Sequence, residues 1–158
     1  MPRHRSNDRN IVARNRRATF DYFIDEVFEA GIVLTGTEVK SLRNGKASIE
    51  ESHAEIKDGE VFLVNAYIPE YTHGNQFNHV PRRSRKLLLH SKEIRKMLGL
   101  IQKKGFTLIA MSMYFNWKNL AKVELAIARG KKQHDKREAI KQKDWNRQKD
   151  RVMKNAGN

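Results

Sequence analysis

Apolar residues are concentrated in the middle of the chain, where they alternate with polar residues in short runs. Two such runs, 53–56 and 61–66, stand on either side of Asp58-Gly59. An Asp-Gly pair between alternating runs is a strong hairpin signal, because the tight turn needs residues that accept positive φ. The runs 106–117 and 120–128 alternate in the same way. The pattern therefore predicts two β-hairpins.

Two short helices are predicted from the 3.6-residue period and from residues typical of helix ends. The first follows the cap residue Thr35 and has Val39 and Leu42 on its apolar face. The second is capped by Ser91 and ended by Gly105. Its apolar positions are Ile94, Met97, Leu98 and Ile101.

The segment 19–34 carries two conflicting signals. Its apolar residues recur at helical spacing. It is also enriched in aromatic and β-branched residues, which favours a strand. The residues alone leave both structures open. The helical spacing involves Phe20, Phe23, Ile24, Val27 and Phe28.

Residues 67–84 contain turn-forming residues and two of the three prolines, which predicts a long, mobile connection. The hairpins, further strand candidates and two short helices suit a mainly β fold of the α+β class. We expect a small antiparallel barrel with helices at its ends, and an OB-like barrel is one such solution.

The positive charge of the chain lies mainly at its two ends. Of the net charge of +14, residues 1–17 carry +5 and residues 130–158 carry +6, which leaves +3 for residues 18–129. Basic ends of this kind follow a polyphosphate backbone and release its counterions. Composition therefore predicts a nucleic-acid-binding protein with a loose arm at 1–17, a folded body at 18–129 and a tail at 130–158.

The tail has too few large apolar residues to offset the entropy lost when a chain is ordered. We therefore expect it to be disordered in the free protein. It contains no proline and no interior glycine, so it is able to become helical on a partner. Its large apolar residues are Ile140, Trp145, Val152 and Met153.

Several classes of function are disfavoured. The chain has no cysteine, and its six histidines lack zinc-ligand spacing, so we expect no disulfide and no metal site. Phosphate-binding glycine loops are absent, and His134-Asp135 has neither a matching nucleophile nor a rigid scaffold. No apolar leader and no membrane-length apolar run occurs. We expect a cytoplasmic monomer that is not an enzyme and needs no cofactor.

Composition alone also permits a constitutive ribosomal or translation-factor protein with an OB body and a basic arm. A further hypothesis is an RNA-processing enzyme that uses His79 or His90 with a lysine. It predicts RNA cleavage that is lost when the histidine is changed, and we expect no such cleavage.

Five motifs occur in a fixed order along the chain: Phe28-Glu29-Ala30-Gly31, Glu38-Val39-Lys40-Ser41-Leu42-Arg43, Arg85-Lys86-Leu87-Leu88-Leu89-His90, Gly130 to Arg137, and the tail pair Asp144-Trp145 with Met153-Lys154-Asn155. Together they resemble the small protein B family, the tmRNA-binding (SsrA-binding) proteins of bacterial trans-translation. The resemblance covers residues 15–155.

The resemblance implies an OB-like barrel that binds the tRNA-like domain of tmRNA, with residues 19–34 as a strand at an edge of that barrel. It also implies that the tail enters the decoding centre and the empty mRNA channel of a stalled ribosome and becomes helical there. Elongation factor Tu and alanyl-tRNA synthetase, which act on the same RNA, are further partners implied by the resemblance.

The resemblance also suggests which residues bind. The tmRNA-binding residues expected from it and from the basic positions nearby are Glu29, Leu88, His90, Arg85, Lys86 and Lys122. The ribosome-binding residues expected in the tail are Gly130, Lys131, Lys132, His134, Asp135, Lys136, Arg137, Trp145, Val152 and Met153.

The residue types suit these roles. His90 is able to donate a hydrogen bond to a base or a ribose. Glu29 either accepts from a base edge or holds a basic neighbour, and the sequence leaves that choice open. In the tail, His134 and Trp145 suit stacking on unpaired bases, while the lysines neutralise phosphates.

Overall fold

The computed structural model describes residues 9–73, 77–103 and 105–156, except for the side chains of 133–135 and 156. The strands are β1 (Asn10–Arg14), β2 (Tyr22–Ile32), β3 (His53–Lys57), β4 (Glu60–Val64), β5 (Arg85–Leu88), β6 (Phe106–Phe115) and β7 (Ala121–Gly130). The helices are α1 (Ala18–Asp21), α2 (Gly36–Arg43), α3 (Ser91–Ile101) and α4 (Gln133–Ala156).

The strands form one antiparallel sheet that closes on itself. Starting at β6, the hydrogen-bonded order is β6, β3, β4, β5, β2, β7 and again β6, and β1 pairs with β6 along the same edge as β3. This closed ring, together with its helices, confirms the expected α+β, OB-like fold. The main core lies inside the ring and includes Val61, Leu63, Leu87, Leu108, Leu125 and Ile127.

Both predicted hairpins are confirmed. β3 and β4 pair along their whole lengths. The turn between them has φ of 52° at Asp58 and 76° at Gly59, the left-handed region that a two-residue hairpin turn requires. β6 and β7 pair up to Phe115 and Ala121, on either side of a longer turn.

Residues 19–34 are mostly strand, as the resemblance implied, with α1 in the first turn and β2 in the rest. β2 pairs with β7 on one side and β5 on the other, so its expected place at an edge is wrong. Its register shifts between Ile24 and Glu26, yet burial still alternates along the strand. Phe28 is buried while Phe23 and Val27 on the opposite face are exposed, so the apolar residues at helical spacing are divided between the two faces of β2.

The two middle helices begin in the same way. The N–H of Thr35 donates to Glu38 Oε1 at 2.9 Å at the start of α2, so the predicted Thr35 cap is confirmed. At the start of α3 the N–H of His90 donates to Glu93 Oε1 at 3.1 Å. The cap of α3 is therefore His90, one residue before the predicted Ser91. This cap places an exposed His90 at the junction of β5 and α3.

The predicted loose N-terminal arm is wrong for its second half. β1 pairs with β6, Ala13 is buried, and Val12 packs against the core. Backbone hydrogen bonds to a neighbouring strand order a short segment that has little apolar surface of its own. Residues 1–8 lie outside the described residues.

The tail forms the long helix α4, where the sequence analysis expected disorder in the free protein. A segment without proline or interior glycine meets no local obstacle to helix formation. Its root is tied to α1, because the Lys131 N–H donates to the Asp21 carbonyl at 2.9 Å and Lys136 Nζ lies 3.3 Å from Asp21 Oδ1. From Arg137 onward nearly all side chains of α4 are exposed.

Candidate RNA-binding surface

Four of the six residues expected to bind tmRNA come together around one open depression of about 340 Å³. They are contributed by separate elements: Glu29 by β2, Leu88 by β5, His90 by the cap of α3, and Lys122 by β7. We call this set the four-residue surface.

Strand register explains why these side chains meet. Gly31 pairs with Leu88 on one side and with Lys122 on the other, so the three residues form a row across β5, β2 and β7. A Cβ at Gly31 would lie 3.2 Å from Leu88 Cβ, which is closer than ordinary contact. Leu88 is 52% exposed, so it is a surface residue, although its apolar side chain alone suggested a core position.

Glu29 is held by two neighbours that the sequence analysis did not identify. Tyr114 Oη donates a short hydrogen bond to Glu29 Oε2. The Arg9 guanidinium lies 3.9 Å from the same carboxylate, bonds to Glu124 Oε2 at 2.8 Å, and sits 4.6 Å from the centre of the Tyr114 ring. Burial, together with the hydrogen bond to Glu29, raises the pKa of Tyr114 far above its usual range, so the hydroxyl stays a donor.

A basic depression lies beside the four-residue surface. Its volume is about 490 Å³, and Arg9, Arg14 and Arg16 line it together with Glu124. These arginines belong to the segment that the sequence predicted to be a loose arm, whereas β1 fixes Arg14 beside the barrel. The arginine side chains provide positive charge next to the four-residue surface.

The prediction that Arg85 contacts tmRNA is wrong. Its side chain points into the barrel and is fully buried, where its Nε donates a short hydrogen bond to Glu38 Oε2. It also donates to the carbonyls of Ala66 at 2.9 Å and Pro81 at 3.0 Å. Alternation along β5 is the cause, because Arg85 and Leu87 point inward while their neighbours point outward.

The connection at 67–84, which the sequence predicted to be mobile, includes Pro81, whose carbonyl accepts a hydrogen bond from Arg85. Ile68 is buried within it, and His79 bonds to the Ile68 carbonyl at 2.8 Å and to Thr37 Oγ1 at 2.9 Å. Within its described parts, 67–73 and 77–84, the connection is thus anchored at Ile68 and His79, whereas Phe77 and Val80 are exposed. Because His79 is buried and used in this way, it is poorly placed to act on RNA.

Lys86 lies apart from the four-residue surface. It points outward from β5, but its Nζ lies 2.9 Å from Glu60 Oε1 on β4, and it does not line the depression. It is therefore a useful comparison for Lys122, which does.

The expected ribosome-binding residues lie outside the four-residue surface. Trp145, Val152 and Met153 are each more than 60% exposed on α4. Trp145 and Val152 are seven residues apart, which places them on one face of the helix. The side chains of His134 and Asp135 lie outside the described residues. The other expected residues are Gly130, Lys131 and Lys132 at the root of the tail and Lys136 and Arg137 in its first turns.

Two further observations concern the described residues alone. No group of three or more His, Cys, Asp or Glu side chains is arranged there to hold a metal ion. None of the described helices is both long and apolar enough to cross a membrane.

The family model for SmpB protein matches residues 12–155. The chain belongs to the SmpB protein family. An SsrA-binding protein of Sphingomonas elodea is 60% identical over 146 residues, which cover 92% of this chain and 91% of the relative. The SsrA-binding protein of Rickettsia conorii (strain ATCC VR-613 / Malish 7) is 61% identical over 146 residues, covering 92% of this chain and 96% of the relative.

A solved structure is also similar to this SmpB family member. It is described in the words "tmRNA-SmpB: a journey to the center of the bacterial ribosome". The match has a TM-score of 0.65 and 51% identity, and it covers 80% of this chain and 92% of the solved chain.

Proposed function

We propose that the four-residue surface binds tmRNA and that the tail binds the ribosome, so that the protein brings tmRNA to stalled ribosomes in trans-translation. The observation that carries the proposal is that the four-residue surface surrounds one depression and lies next to the basic depression. The four residues are Glu29, Leu88, His90 and Lys122. The family and its SsrA-binding members support this function.

Each member of the surface has a separate task in this proposal. Leu88 offers an exposed apolar contact to a base or ribose face. His90 and Glu29 provide hydrogen-bonding groups around the same depression. Lys122, with the neighbouring arginines, neutralises phosphates. The surface thus combines sequence-independent attraction with a few directional contacts.

The tail supplies the second half of the proposed function. α4 presents basic side chains and the exposed Trp145. Lysine and arginine side chains are suited to ribosomal phosphates, and Trp145 to stacking on an unpaired base. We propose the small-subunit decoding centre and mRNA channel as its binding site, which places the protein in the cytoplasm.

Elongation factor Tu and alanyl-tRNA synthetase remain partners suggested by the resemblance, because they act on the same RNA. In the proposed function, this protein binds and orients the RNA and carries out no covalent step.

Lys122→Ala is expected to weaken tmRNA binding by about tenfold and to lower the slope of log affinity against log salt by about one, because one phosphate contact is lost. Lys86→Ala is the matched control, since it also removes an outward-pointing lysine, but from a position on β5 that does not line the depression. Affinity is measured by gel shift across salt concentrations, and folding by thermal melting. Equal losses for the two variants would contradict the proposed surface.

A further inference from the structure

The Glu29 carboxylate is held in an asymmetric way. Oε2 receives the short hydrogen bond from Tyr114 and faces Arg9, whereas Oε1 has no hydrogen bond to any of the residues that the structure describes. An ionised carboxylate accepts several hydrogen bonds, so Oε1 keeps its full capacity. It does so at the rim of the depression that Leu88 and Lys122 also line.

Tyr114 contacts Glu29 from a strand that is not its neighbour. It belongs to β6, yet its hydroxyl reaches Glu29 on β2, with β7 between the two strands. The residue is only 1% exposed, and the Arg9 guanidinium lies over its ring. Because the ring is packed in this way, its hydroxyl donates from a fixed point rather than from a mobile side chain.

Arg9 offsets the negative charge of two neighbouring carboxylates at this site. Glu29 and Glu124 are directly opposite each other on β2 and β7, and two carboxylates beside a phosphate backbone would repel it. Arg9 bonds to Glu124 and lies close to Glu29, so it offsets part of this charge. The carboxylate is then able to act on RNA through a directional hydrogen bond.

We propose that Tyr114 is a positioning residue, which occupies Glu29 Oε2 and leaves Oε1 to accept a hydrogen bond from an N–H or O–H donor of tmRNA. This inference rests on the proposed tmRNA surface and deepens it. It assigns Glu29 an acceptor role, a choice that the sequence left open. Donors of this kind are the N–H groups of a base edge and the ribose 2′-hydroxyl.

A pair of substitutions tests the positioning role. In Glu29→Gln, the Tyr114 hydroxyl still donates to the side-chain oxygen, so the amide NH₂ faces the RNA donor. Because two donors form no hydrogen bond with each other, tmRNA binding is expected to weaken about thirtyfold. Tyr114→Phe alone is expected to weaken binding about fivefold, because Glu29 is no longer held. It removes no charge, so the salt slope of binding is unchanged.

The double variant separates positioning from a merely structural effect. Without the tyrosine hydroxyl, the side-chain amide introduced by Glu29→Gln is free to turn its oxygen toward the RNA donor. The double variant is therefore expected to bind tmRNA about sixfold more tightly than Glu29→Gln alone. Additive losses, or normal binding by Tyr114→Phe, would overturn the inference. Circular dichroism at the assay temperature confirms that each variant compared is folded.

Interference mapping identifies the donor. Pools of tmRNA carry sparse phosphorothioate-tagged inosine, which lacks the guanine amino group, or sparse 2′-deoxynucleotides, and the bound fraction is sequenced. Inosine interference at a position that disappears with Glu29→Ala indicates a base edge, whereas 2′-deoxy interference that disappears indicates a ribose. If no interference depends on Glu29, the guanine amino group and the ribose 2′-hydroxyl are both excluded as the donor to its Oε1.

The two proposals fail in different ways. If Glu29→Ala and Lys122→Ala bind tmRNA normally, the surface itself is misplaced. If they lose binding while the double variant shows no recovery, the surface stands and the role of Tyr114 is wrong.

Discussion

Replacing Arg85 with methionine is expected to lower the free energy of unfolding by about 3 to 5 kcal/mol, because the buried carboxylate of Glu38 loses its fully buried cationic partner. Both side chains are fully buried. Arg83 also bonds to Glu38, at 2.6 Å, but its own side chain is partly exposed. Urea unfolding at neutral pH measures the loss.

The pH dependence of this loss follows from the pKa of Glu38. Burial acts to raise that pKa, but hydrogen bonds from Arg83, the Thr35 N–H and Arg85 outweigh burial and lower it from 4.5 to about 2. A carboxyl group with a lowered folded-state pKa contributes stability above its unfolded value of 4.5, and the contribution is lost as the pH falls toward 2. The difference between wild type and Arg85→Met should therefore be largest at neutral pH and shrink in acid.

Two further variants sharpen the test. Arg82→Met removes an exposed arginine three residues earlier, whose ion pair with Glu51 spans 3.7 Å, and should change stability by less than about 0.5 kcal/mol. Glu38→Gln combined with Arg85→Met should be more stable than Arg85→Met alone, because no buried charge is left unpaired. An Arg85→Met protein as stable as the wild type would contradict the buried ion pair.

Ending the chain after Lys132 is expected to reduce peptide tagging of stalled nascent chains by about 100-fold or more, because the basic helix proposed to hold the ribosome is lost. The structure favours this end point over Gly130, which pairs with Tyr22 in the sheet, and over Lys131, whose N–H bonds to Asp21. Tagging is measured in a reconstituted translation system with an mRNA that lacks a stop codon.

Removal of the tail must leave the barrel intact for this result to be informative. Thermal melting of the truncated chain should match that of the full chain, since α4 is almost wholly exposed beyond its root. Within the full chain, Trp145→Ala should reduce tagging about tenfold if the indole stacks on RNA, whereas Asn146→Ala next to it should not. Normal tagging by the truncated chain would show that the tail is dispensable.

The parts of the fold that the sequence predicted depend on local signals. Asp58-Gly59 fixes the first hairpin through its own backbone preferences, and Thr35 with Glu38 starts α2 within four residues. Such contacts are visible in a short window of sequence. The strand β2 was harder, because it carries apolar residues such as Phe23 and Val27 on its exposed face, which adds a helical spacing to the strand alternation.

The features that were missed depend on contacts between distant residues. Tyr114 and Glu29 are 85 residues apart, and Arg9 and Glu124 are 115 apart. Pairing of β1 with β6 likewise joins the two halves of the chain. Sequence spacing carries no signal for such partners until the strand register is known.

Arg85 illustrates a limit of reasoning from residue type. Arginine is rarely fully buried without a partner, so a basic run at 82–86 suggests an RNA-binding surface. Alternation along β5 is visible in the sequence, but its phase depends on which residues the barrel interior accepts. Glu38 makes the interior acceptable for Arg85. The partner lies 47 residues away and on a helix.

We propose that the barrel recognises tmRNA and that the tail binds the ribosome. A binding titration separates the two roles, using the full chain and the chain ending at Lys132 against tmRNA and a size-matched unrelated RNA over a range of salt concentrations. Both proteins are expected to select tmRNA, with affinities for it that agree at physiological salt to within about threefold. Selectivity that disappears with the tail, or that neither protein has, would show that the barrel does not recognise tmRNA by itself.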